Sequence, residues 1–161
     1  MYEVGQDIVY PMHGAGTVED IEKIELLGEV KDYYVMHITY KDMKVKIPTQ
    51  KVEELHVRPL ATLDDIREAF KEASNKEFES YPNWNTRYRV NMEKIKNGDI
   101  RSITEVISML NALDVSKGLS TGEKQLLNNS KEILASEIKI IEGVEFAQAV
   151  KIVEDLIVQK S

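Results

Sequence analysis

The stretch Tyr81-Pro82-Asn83-Trp84-Asn85-Thr86-Arg87-Tyr88-Arg89 gathers the side chains best suited to grip a nucleic acid. It holds the sole Trp, two of the seven Tyr and two of the five Arg, in a chain of net charge −7. Pro82 biases the residue before it toward extended backbone. Asn83 or Asn85 can cap a helix that continues through Arg87, Arg89, Lys94 and Lys96. That arrangement sets a large flat apolar side chain at the start of a basic helix. An apolar wedge at a base step, with cations on the flanking phosphates, kinks or pries open duplex DNA. A lone Trp also serves as the centre of a small core, its basic neighbours forming a solvated face. Local composition alone favours this second reading.

Other chemistry is less well provided for. His13, His37 and His56 stand far apart, without a partner at metal-ligand spacing, so no metal site is expected. His13 lies in a Gly turn, where a hydrogen-bonding role fits, and His37 lies within a strand. Gly14 and Gly16 lack the Gly-Lys-Ser/Thr ending of a phosphate loop. Asp64/Asp65 and Glu53/Glu54 read as cap and surface charges rather than a catalytic pair. Ser120-Thr121-Gly122-Glu123 is a capping box, not a nucleophile elbow. No catalytic constellation and no cofactor are implied, and an enzyme is not expected.

The chain that must position these residues has 161 of them, 42% hydrophobic and 30% charged, as globular proteins do. It is long enough for one sizeable core or two small ones. No apolar run approaches the ~18–20 residues of a membrane span, and the N-terminus carries no export signal. Zero cysteines exclude disulfides and thiol chemistry. A cytoplasmic, bacterial-type protein is expected. The acidic balance argues against broad coating of nucleic acid, so any DNA contact is local or delivered by a partner already on the DNA.

The pattern changes character near residue 58. Before it come short strands: Asp7–Tyr10, then Pro11–Gly16, where Gly14 and Gly16 suit a turn or close backbone approach. Thr17–Ile24 follows, although Ile21 and Ile24 break strict alternation. Gly28-Glu29 offers a hairpin turn before Tyr33–Tyr40, the strongest strand. In Met43–Pro48, Met43, Val45 and Ile47 point inward, with Lys44 and Lys46 outward. A last strand is expected around Leu55–Arg58. Such a run of short antiparallel strands predicts a small SH3- or Tudor-like barrel. Beyond Pro59 the period becomes helical. Thr62 caps Leu63–Ala73, and 74–83 is a polar loop. A helix from about Asn85 to Lys96 stops at Asn97-Gly98. Asp99 caps Ile100–Ser116, Ser120 opens a long helix ending at Gly143, and Val144–Val158 is the last helix. The fold class is α+β: a β-barrel domain over 1–58, then an all-α helical bundle over 59–161, each with its own core.

Val4-Gly5-Gln6-Asp7-Ile8-Val9-Tyr10-Pro11-Met12-His13-Gly14-Ala15-Gly16 resembles the opening of the CarD/CdnL family of bacterial transcription regulators. Its β-module is shared with the polymerase-interaction domain of transcription-repair coupling factors. The likeness continues at Val45–Pro48, Asn83–Arg89, Asn91–Asp99 and Gly118–Lys124, covering nearly the whole chain. The Trp segment and Leu119-Ser120-Thr121-Gly122-Glu123-Lys124 favour CarD/CdnL over coupling factors, and the absence of helicase motifs and of a basic tail favours the short form.

The resemblance reverses the reading of Trp84. It implies a barrel that binds the RNA polymerase β subunit and a helical domain that meets promoter DNA at the upstream edge of the transcription bubble. The family's wedge falls on Trp84, with Arg87, Arg89 and Lys94 as its basic companions. On the barrel, the polymerase-binding position falls on Lys46, with Lys44 beside it. Lys stands there where a relative carries Arg, keeping charge but losing the bidentate fork. A second polymerase contact falls near Ile24, with Lys23 adjacent. A monomer without membrane association is expected, reaching the nucleoid through polymerase. The competing reading is a protein-interaction adaptor using Trp84 as a partner anchor without DNA contact.

Overall fold

The structure, a computed structural model, describes residues 1–78, 81 and 83–157; Pro82 and the expected helix end at Val158 lie outside them. Five antiparallel strands come first: β1 (Asp7–Tyr10), β2 (Gly14–Leu26), β3 (Glu29–Ile38), β4 (Met43–Pro48) and β5 (Arg58–Pro59), in spatial order β4-β3-β2-β1-β5. Five helices follow: α1 (Leu63–Asn75), α2 (Trp84–Asn97), α3 (Ile100–Ser116), α4 (Thr121–Glu142) and α5 (Phe146–Leu156). The architecture is α+β, with a Tudor-like sheet module ahead of a helical domain.

Local chemistry accounts for most element ends. Leu27 (φ 52°) and Gly28 (φ 80°) both take positive φ, as a two-residue hairpin turn with the right twist demands. Irregularity in β2 has a cause as well. The register with β3 shifts between Val18 and Asp20, a bulge that resets which side chains face inward. Gly16 lies where β2 runs against β3, and a Cβ there would collide with the His37 carbonyl. Thr62 caps α1 in a reciprocal box with Asp65. Ser120 does the same for α4 with Glu123, and Gly98 and Gly143 end α2 and α4 in the left-handed conformation.

Three expectations need correction. Met43 is 44% exposed rather than inward, because it opens β4 at the sheet margin; Val45 is half-buried and Ile47 fully buried. The last strand is Arg58–Pro59, not Leu55–Arg58: residues 52–56 turn, with His56 at φ 60°, before Val57 enters the core. The helix after Thr62 also runs on to Asn75, inside the segment read as loop.

Two apolar clusters form. Ile8, Val18, Tyr34, Met36, Ile38, Ile47 and Val57 fill the sheet module. Ile66, Phe70, Ile95, Ile107, Leu110, Leu134, Ile138 and Val153 lie at the heart of the helical core. Polar contacts dock the two together. The Ala15 N–H donates to Ser136 Oγ at 2.9 Å, in a site with no room for a side chain at Gly14. Arg58 forks onto Glu137 at 2.8 and 2.9 Å, and the Ala61 N–H donates to the same carboxylate at 2.7 Å. Tyr40 stacks on Phe146 with ring centroids 4.7 Å apart.

Candidate nucleic-acid and polymerase interfaces

Helix α2 begins at the Trp itself. Asn83 is the cap: its side-chain oxygen accepts from the Thr86 N–H at 2.9 Å, which satisfies one of the helix's free N-terminal donors. Trp84 is therefore the first helical residue, and 48% of its surface is open to water. Its contrast with Tyr34 and Phe70, both 1% exposed, is sharp.

The basic residues of α2 divide in two. Arg89 is exposed and forms no ion pair among the described residues. Lys94 reaches Glu105 at 3.5 Å, and these two cations line a shallow groove between α2 and the start of α3, together with Val90, Glu93, Asn97 and Ser102. Glu105 is almost buried and also holds Lys76 at 3.0 Å and Arg101 at 3.5 Å. Among the described residues, Glu105 thus gathers Lys76, Lys94 and Arg101 at the foot of α2 and α3.

Arg87 is not on that surface, contrary to the expectation of a basic face shared with Arg89. It points inward to Glu123, which has no exposed side-chain surface. Its Nε donates to Oε2 at 2.5 Å and a terminal nitrogen to Oε1 at 2.8 Å. The hydrogen bonds from Arg87 hold the Glu123 carboxyl below its ordinary range against the opposing effect of burial, and Ser120 adds to them. Sequence reasoning found the Ser120–Glu123 cap but missed the second use of the same carboxylate. The signal was the pairing of an Arg one turn into α2 with an acid one turn into α4, which only packing reveals.

On the sheet, Lys44 and Lys46 project outward from β4, and both are exposed. Strand order places β3 between β4 and β2, so each Lys reaches across β3 to an acid: Lys44 to Glu19 at 3.1 Å, Lys46 to Glu22 at 3.0 Å. His37 lies in the same row, 3.1 Å from Glu19 and 2.9 Å from Asp42. Lys23 is exposed on β2 opposite Asp32. Exposed pairs of this kind are worth ~0–1 kcal/mol and exchange partners readily. His13 has another role: it packs on the Tyr10 ring at 4.4 Å, and burial beside Lys41 lowers its pKa.

Residues 2–61 match the CarD-like/TRCF RID domain, and residues 68–154, more than half of the chain, match the CarD C-terminal domain. The chain belongs to the CarD family. It is 37% identical over 144 residues to YdeB of Bacillus subtilis (strain 168), a proposed transcription factor. That match spans 89% of this chain and 94% of the relative. As a CarD-family protein it is a transcription regulator of the kind that interacts with RNA polymerase. Among the described residues, no helix is long and apolar enough to cross a membrane.

Proposed function

We propose that this CarD-family protein binds the RNA polymerase β subunit through its sheet module and stabilises the promoter open complex by setting Trp84 against the upstream edge of the bubble. The observation that carries the reading is the half-exposed Trp84 at the first turn of α2, on the same helix as Arg89, which is exposed and without an ion pair among the described residues. A large flat aromatic side chain held half in water at a helix start stands where it can meet a base step. Unstacking a base step costs a few kcal/mol, more than a small acidic protein recovers from DNA alone. Docking on polymerase supplies high effective concentration, so a weak contact suffices. Binding that forms only after melting favours the open state, by its differential affinity for the two states. An advantage of ~1.4 kcal/mol shifts the open/closed ratio about tenfold. No set of base-reading side chains is present among these residues, so selectivity would follow promoter melting rather than sequence.

Trp84→Ala tests this directly. Folding stability should drop by only about 1 kcal/mol, since half of the side chain never left water. Open-complex lifetime on cognate polymerase should shorten while β-subunit binding persists. Arg89→Ala should flatten the salt dependence of the effect, as loss of a phosphate contact does. Full open-complex stabilisation by folded Trp84→Ala protein would refute the wedge. Dependence on Trp84 with no salt slope would instead mark a protein anchor.

The polymerase side has its own check. Lys46→Glu places a carboxylate beside Glu22 on an exposed strand, so the fold should survive while β-subunit binding weakens. Unchanged affinity in a pull-down or titration with the isolated subunit would remove Lys46 from the interface.

A further inference from the structure

Arg87 lies one helical turn beyond Trp84, so whatever fixes Arg87 also fixes the turn from which the indole projects. Its guanidinium approaches Glu123 side-on, donating through Nε at 2.5 Å and a terminal nitrogen at 2.8 Å. A fork of this type fixes direction as well as distance. Glu123 is itself immobilised. It accepts from the Ser120 hydroxyl at 3.0 Å, and its own N–H donates back to Ser120 at 3.2 Å. It also sits in the first turn of α4, where the helix dipole favours a carboxylate. Among the described residues, the same end of α2 also carries the exposed Asn83 cap, and the Tyr88 ring lies against Gly122 of α4; the Arg87–Glu123 fork adds to these a charged tie with fixed direction.

We infer that the Arg87–Glu123 pair is a latch that sets the direction in which Trp84 is presented. Both are positioning residues: the pair clamps the start of α2 to the start of α4, and the indole leaves from the clamped turn. This inference rests on the reading of Trp84 as the DNA-contacting side chain. It also gives Arg87 a part in DNA binding without a phosphate contact of its own. The latch is withdrawn from water, so its hold on Trp84 should be insensitive to salt, unlike any contribution from Arg89.

Trp84 is the sole Trp, so intrinsic fluorescence reports its freedom directly. Arg87→Lys keeps the charge and loses the fork. Glu123→Gln keeps the shape and loses the charge, and serves if Arg87→Lys does not fold. In the free full-length protein, folded by circular dichroism, either change should lower Trp84 anisotropy and raise its quenching by acrylamide. Arg89→Ala should leave both unchanged. Open-complex lifetime should fall toward that of Trp84→Ala, with β-subunit binding intact. Wild-type anisotropy and quenching in a folded latch variant would overturn the latch. Loosened Trp84, with open-complex lifetime unaffected by both the latch variant and Trp84→Ala, would uphold the latch and refute the DNA reading beneath it.

Discussion

Arg87→Ala is expected to destabilise the protein by ~3–5 kcal/mol, the usual cost of stranding a buried charge. Glu123 would keep its Ser120 contacts but lose both guanidinium donors, in a site with no exposed surface. Urea unfolding followed by circular dichroism measures the loss, and a melting temperature lower on the order of 10 °C should accompany it. A surface Arg waiting for a phosphate would cost almost nothing, so the experiment separates the two roles. The same pair predicts a pH dependence. Hydrogen bonding from Arg87 lowers the Glu123 pKa in the folded state. Stability from this source is therefore complete above the unfolded carboxylate pKa and is lost as pH falls through the lower folded value. Glu123→Gln should flatten the decline in urea midpoint on acidification; equal slopes in the two proteins would exclude the linkage.

Glu137→Ala should be of comparable size and should act between the two cores. The Glu137 carboxylate has 1% of its surface exposed and accepts from Arg58 twice and from the Ala61 N–H once. Truncation removes the counter-charge of Arg58, which keeps only its hydrogen bonds to the Gly98 and Pro59 carbonyls, and leaves the Ala61 N–H without its acceptor, at a cost of ~3–5 kcal/mol. Calorimetry should show a lower and broader transition as the sheet module and the helices uncouple. Replacing both partners, Arg58→Leu with Glu137→Leu, should recover part of the loss, because no charge is then stranded. An unchanged melting curve in Glu137→Ala would mean the clasp contributes nothing to docking.

Much of this architecture was legible in the residues because its signals are local. Asp99 and Ser116 bound α3 as read, Ser120 and Gly143 bracket α4, and alternation put Lys44 and Lys46 outside β4. Caps, turns and period-two patterns act over a few residues, so the chain states them directly. The family resemblance was legible for a similar reason, resting on contiguous motifs that the CarD domain matches bear out.

Direction and partnership needed tertiary structure. Arg87 and Arg89 are two residues apart and chemically alike. One is sealed against Glu123, 36 positions along the chain, and the other faces water. Lys94 similarly meets Glu105, and Arg58 meets Glu137, 79 positions away. The sequence by itself determined the β-then-α order, most helix ends, the outward lysines of β4 and the presence of a lone Trp at a helix start. Only the packed fold decided which cations remain available to a partner, that Trp84 stays half in water, and that the two cores are clasped. The physical reason is that a charge's role depends on whether a counter-charge meets it away from solvent, and that is a property of which helices pack together.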